Sequence, residues 1–86
     1  MTEEIIDIKN PKEVMEYLKN VDNGEYIEIY FGRVHVEGKL MHYNEGLVRL
    51  VHDKYGIIEV EIEKILDDLL ELAHTREDKR IVLRFY

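Results

Sequence analysis

Apolar and polar residues alternate with a period of two from Tyr26 to Phe31. Ile27, Ile29 and Phe31 share one side of the predicted strand, and Tyr26, Glu28 and Tyr30 share the other. The alternation breaks at Gly32 and resumes with Val34 and Val36, interleaved with Arg33, His35 and Glu37. Gly32 therefore reads as a hairpin turn or a bulge, and Gly38 as a bend or second bulge, beyond which Leu40 keeps the apolar register. Tyr43-Asn44-Glu45-Gly46 is a turn, and Leu47 to His52 is a strand whose "LVRLV" pattern leaves the buried face open. Asp53-Lys54-Tyr55-Gly56 is a further turn, after which Ile58, Val60 and Ile62 alternate with Glu59, Glu61 and Glu63.

Two segments follow the helical period instead. Asn10-Pro11-Lys12-Glu13 has the chemistry of a helix start, with Asn10 as cap and Pro11 in the first turn. Val14, Met15, Leu18 and Val21 then recur at helical spacing, predicting a helix from about Pro11 to Asn20, closed by Asp22-Asn23-Gly24. At Ile62 the period changes again: Ile62, Ile65, Leu66, Leu69, Leu70 and Ala73 form one helical stripe, with Asp67, Asp68 and Glu71 on the wet side. That predicts a helix over 62–74. Ile81, Leu83 and Phe85 alternate with Val82, Arg84 and Tyr86 in a last strand, and Glu3 to Ile8 is a short edge strand or an ordered lead-in.

No repeat or linker divides the chain, so 1–86 is read as a single domain. The expected class is α+β: a four-stranded antiparallel meander plus a C-terminal strand, with an N-terminal helix and the helix near 62–74. The alternative is a small SH3/Sm-like barrel with added helices, the glycines supplying its corners.

Composition narrows the class. The chain is 45% hydrophobic, too apolar for disorder, and 36% charged, above the usual quarter. It has no Cys, which excludes disulfides and thiolate metal sites and is consistent with a reducing compartment. Lys/Glu enrichment without Ser, Gln, Cys or Trp points to a thermophile, although Asn23-Gly24 is chemically labile. A net charge of −7 disfavours nucleic acids and anionic membranes as partners. "MTEEIIDIKN" lacks the basic and apolar regions of a signal peptide, and no apolar run is long enough to span a membrane, so a cytoplasmic protein is expected.

Candidate chemistry is sparse. His35, His42, His52 and His74 show no paired metal-ligand spacing, so no metal site is expected; His74 reads as a cation at a helix C-terminus. Glu59 and Glu61 share a strand face, where alternation predicts solvated carboxylates rather than an acid/base pair. No Ser or Cys nucleophile exists, and no glycine-rich phosphate loop occurs. No catalytic residues and no cofactor are expected, and the protein is read as not an enzyme. The side of the hairpin that carries Tyr26, Tyr30, Arg33 and His35 is the candidate interaction face, because Tyr and Arg concentrate at binding hot spots.

The stretch from Ile27 to Leu50 resembles the first motif of Sm-like small barrels, through Gly38, Leu40, Tyr43 and Asn44. The spacing from Gly32 to Gly38 is one residue longer than in that family. Asn44 replaces the family's acid, and no Arg-Gly pair occurs in "GIIEVEIEKI". The resemblance therefore implies a fold and not an RNA site. "YFGRVHVEGKL" together with "YGIIEVEIEKILDDLLEL" resembles a small uncharacterised protein family of methanogenic archaea, a resemblance that implies no function.

The expected function is a small non-catalytic cytoplasmic module that binds a protein partner or a second copy of itself. The alternative is a nucleic-acid binder using the Tyr/Arg face, Arg49 and the basic C-terminal strand.

Overall fold

The computed structural model describes residues 2–85. Seven strands form one mixed sheet: β1 (Thr2–Ile8), β2 (Tyr26–Phe31), β3 (Val34–Asn44), β4 (Leu47–His52), β5 (Gly56–Glu61), β6 (Leu69–Arg76) and β7 (Lys79–Phe85). Their spatial order is β1-β7-β6-β2-β3-β4-β5, with β1 parallel to β7 and every other neighbour antiparallel. This overturns the expected four-stranded meander with two helices. The order is linear, with β1 and β5 at its two edges, which also overturns the barrel alternative.

The decisive difference lies after Ile62. Only Ile62–Ile65 (α2) is α-helical, and a 3-10 turn over Leu66–Asp68 leads straight into β6. The helix expected over 62–74 is thus mostly strand. Helical periodicity was present, but two long-range partners outweigh it: β6 pairs with β2 on one side and β7 on the other. In that register Leu72 lies between Ile29 and Leu83, and all three are almost fully buried. A helix here would have left β2 and β7 with unpaired backbone groups. Leu72 is not on the helical stripe, whereas Leu70, which is, ends up 53% exposed.

The N-terminal helix is shorter than the expected Pro11–Asn20. It runs over Glu13–Leu18 (α1), preceded by a turn in which the Asn10 side chain accepts the Lys12 N–H at 3.1 Å. Val14 and Leu18 are buried, and Val21 follows them inward. Glu3 to Ile8 falls within β1, a full edge strand. The last strand ends, as described, at Phe85; Tyr86, assigned to it from the sequence, lies outside the described residues.

The strand β3 is shared between two halves of the sheet. Its first part pairs with β2 as far as Lys39, and its second part pairs with β4 from Lys39 onward, with a bulge between Leu40 and His42. The bend permits Val48, Leu50 and Val60 from one half to join Ile27, Ile29, Leu72 and Leu83 from the other, with Val14 and Leu18 of α1, in a single core cluster. Gly38 sits at the handover. A Cβ there would lie 2.6 Å from the Val51 carbonyl oxygen, so only glycine permits the approach. Gly32, with φ of +56°, takes the first position of a two-residue turn joining Phe31 to Val34, the place where a type II′ hairpin needs glycine.

Two outcomes in chemical or thermal denaturation follow from this packing. Leu72→Ala should cost about 2–5 kcal/mol and Leu70→Ala no more than about 0.5 kcal/mol, the reverse of what a helical stripe through Leu70 requires. Gly38→Ala should cost more than about 2 kcal/mol, since the neighbour it meets is backbone. Near-neutral behaviour of Gly38→Ala would contradict the close approach.

Candidate functional site

The turn at Gly32 and Arg33 sets the register of the β2–β3 hairpin, and the register sets what meets on the outer face. Tyr26 opposes Lys39, Glu28 opposes Glu37, and Tyr30 opposes His35. Strand β6 and then β7 continue these rows: Glu28 faces Ala73 and then Val82, and Tyr30 faces Glu71 and then Arg84. Of the four residues expected to form a contact face, the structure brings Tyr26, Tyr30 and His35 onto one surface. Arg33 is exposed in the turn at the end of the hairpin.

On that surface the polar groups bind one another. The Tyr26 hydroxyl donates to Glu37 Oε2 at 2.8 Å, and the Tyr30 hydroxyl donates to Glu28 Oε1 at 2.9 Å. Arg80 Nε donates to Glu28 Oε2 at 3.0 Å while its Nη1 reaches Glu3 Oε2 at 2.9 Å. The His35 ring stacks on Tyr30, 4.4 Å between centroids and 2° from parallel. Burial and the Glu37 carboxylate push the Tyr26 phenol up to about 12. Burial, then Glu28, raises Tyr30. Burial opposes ionisation of Glu28, but Arg80 and the Tyr30 hydroxyl outweigh it and hold its carboxyl below the ordinary value. One nitrogen of His35 and one oxygen from each of Glu28 and Glu37 lie within 4.8 Å of one another, a constellation that linear spacing did not reveal.

Ala73 and Val82 lie on this same outer face and are nonetheless buried, outside the core cluster. Val82 lies between Ala73 of β6 and Ile5 of β1, and Arg80 and Arg84 flank it on its own strand with their heads on carboxylates. The other cations of the alternative nucleic-acid surface are engaged in the same way. Arg49 pairs with Glu59 at 2.6 Å, Lys79 with Glu4 at 2.9 Å, and Arg84 with Asp7 at 3.1 Å.

Further along the outer face, Val51 and Ile57 stand directly opposite each other on β4 and β5, 41% and 59% exposed. Tyr55, in the connecting turn, is more exposed still. The far side of β5 has no partner strand among the described residues.

On the core side a second polar chain runs inward. His74 is 3% exposed and is the one buried polar side chain among the described residues. Its Nδ1 bonds the Tyr17 hydroxyl at 2.9 Å and its Nε2 bonds Glu25 Oε1 at 2.9 Å. Glu25 also accepts the Asp22 N–H at 2.8 Å and an N–H of Arg76 at 3.0 Å, and Arg76 donates to the Asn20 carbonyl at 3.1 Å. The chain ties α1, the loop after it and β6 together. Sequence reading placed His74 at the end of a helix, so its partners on α1 and in the loop after it were out of view. Arg76 holds the Glu25 carboxyl down from 4.5 to about 2, against the cost of burial and with help from the Asp22 N–H and His74. Burial raises the Tyr17 phenol, which does not favour a nucleophilic phenolate.

A cleft of about 700 Å³ lies between α1 and the β3–β4 hairpin. Met15, Leu18 and Leu40 line it, along with Glu16 and Glu63. Tyr43 and His42 line it as well, and His74 is not among its lining residues.

The molecule is therefore an open mixed β-sheet protein with a self-bonded polar outer face. No helix among the described residues is long and apolar enough to cross a membrane. Residues 4–84 match the family described as "Uncharacterized protein conserved in archaea (DUF2097)", and the chain belongs to that family. An uncharacterized protein of Methanocaldococcus jannaschii is 80% identical over 84 residues, covering 98% of this chain and 99% of the relative. No solved structure matches.

The Glu25 shift gives stability a pH dependence of definite sign. Its folded value is depressed, so its contribution is present above about pH 4.5 and is lost as pH falls towards about 2. Glu25→Gln should be less stable than the parent at pH 7, by on the order of 1–2 kcal/mol after allowing for solvent screening. Paired denaturation curves should show that gap closing as the pH is lowered through this window; a constant gap would contradict the Glu25–Arg76 interaction.

Proposed function

We propose that this protein is a small non-catalytic protein-interaction module whose partner is a second copy of itself, paired through the edge of β5. The observation that carries this is the exposed Val51–Ile57 pair beside a strand with one open side. Natural edge strands are usually blunted by a proline, a bulge or an unpaired inward charge. The run Gly56–Glu61 has no proline or lysine, and its ladder to β4 has no register shift. Both of its carboxylates bring their own cations, Arg49 for Glu59 and Lys64 for Glu61. Two such edges meet across a two-fold axis without uncompensated repulsion and bury Ile57 and Val51 near the joint.

The contact is placed here rather than on Tyr26, Tyr30, Arg33 and His35 because the tyrosine hydroxyls there already have carboxylate partners. The nucleic-acid alternative has less support, since Arg49, Arg80 and Arg84 would have to leave carboxylates to reach phosphates.

Light scattering during size-exclusion chromatography tests the reading. The parent should elute as a dimer at tens of micromolar, in the range ordinary for homodimers. Ile57→Lys should elute as a monomer that still unfolds cooperatively, with a thermal midpoint that no longer depends on concentration. A parent that is monomeric at every concentration, or an Ile57→Lys variant that remains dimeric, would overturn pairing through β5.

A further inference from the structure

We propose that Glu28, His35 and Glu37 form a binding site for a divalent transition-metal ion. All three side chains project from one face of a single hairpin. Glu28 and Glu37 are directly opposite across the β2–β3 ladder, and His35 is two residues from Glu37 on the same strand. Their ligand atoms lie within 4.8 Å of one another. Bonds of about 2.0–2.2 Å to one metal require ligand atoms roughly 3 Å apart, so binding draws the three side chains closer together.

Charge is the second observation. Carboxylates directly opposite in a ladder repel and destabilise it. Here Glu28 and Glu3 share one guanidinium, that of Arg80, while Glu37, directly opposite Glu28, accepts only from the uncharged Tyr26 hydroxyl among the bonds of the described residues. Three negative charges against one positive leave a surplus of two, which a divalent ion balances. Of the charged residues flanking the cluster, Lys39 beside Glu37 and Glu71 beside Tyr30 are of opposite sign and offset each other.

The surroundings suit ligands held for a metal. Metal-binding carboxylates are commonly oriented by hydrogen bonds from outside the coordination sphere. The Tyr26 hydroxyl holds Glu37, the Tyr30 hydroxyl and Arg80 hold Glu28, and the Tyr30 ring fixes the plane of His35. An imidazole with two carboxylates selects zinc, iron(II), cobalt(II) or manganese over calcium and magnesium, which prefer oxygen alone. His35 is exposed, so the remaining coordination positions open to solvent. The site lies on β2–β3, away from the Val51–Ile57 pair, and does not depend on self-association.

The test uses the untagged full chain, zinc as probe, calorimetry for affinity and the histidine ring resonances for location. Zinc should bind saturably and shift the His35 ring signals first. His35→Ala and Glu37→Gln should each weaken binding at least tenfold, while His52→Ala, outside the cluster, leaves it unchanged. Since His35 is exposed, His35→Ala should unfold at the parent's temperature, which separates loss of a ligand from loss of the fold. No saturable zinc binding, or equal affinity in His35→Ala and the parent, would overturn the site.

Discussion

The pairing of β6 with both β2 and β7 is the constraint on which the rest of this structure depends. β6 is the strand through which the N- and C-terminal strands join the central hairpins. Its register brings Leu72 between Ile29 and Leu83 on the core side, and on the other side sets Ala73 between Glu28 and Val82. Were residues 69–76 helical, β1 and β7 would lose their attachment to β2, and the face that brings Arg80 of β7 to Glu28 of β2 would be broken. A local preference for helix, worth a few tenths of a kcal/mol per residue, is set against a full set of ladder hydrogen bonds and a buried leucine.

The two faces of the sheet solve different problems. The core face is apolar and bent, and the bend depends on β3 changing partners at Gly38–Lys39. The single buried polar residue on that side, His74, is tolerated because both ring nitrogens have partners. The outer face is polar yet partly buried. There, Ala73 and Val82 are buried while the tyrosine hydroxyls and arginine heads reach carboxylates. That arrangement consumes the hydrogen-bonding capacity of the face and concentrates negative charge at Glu28 and Glu37. Part of the apolar exposure that remains lies at Val51 and Ile57, beside the open edge of β5.

Much of the hairpin geometry was legible in the chain. The faces of β2 follow from strict alternation, but Gly32 read as either a turn or a bulge, so the pairs Glu28–Glu37 and Tyr30–His35 waited for the register the structure sets. The meaning of "LVRLV" in β4 was not legible, because apolar residues on both faces leave burial to the partners; the structure buries Val48 and Leu50 and exposes Val51. Residues 62–74 misled for a different reason. Their leucines satisfy a helical stripe, and only Leu72, off that stripe and fully buried, betrays the strand. Losing β6 also hid the chain from Tyr17 through His74 to Glu25, whose members are 49 and 57 residues apart in sequence.

The most direct test of the account is a nuclear magnetic resonance assignment of residues 62–76. The structure requires strand-type carbon shifts from Leu69 to Arg76, and cross-strand proton contacts from this segment to both β2 and β7. Sequential helical contacts continuing past Asp68 to His74, with none to Ile29 or Leu83, would contradict it.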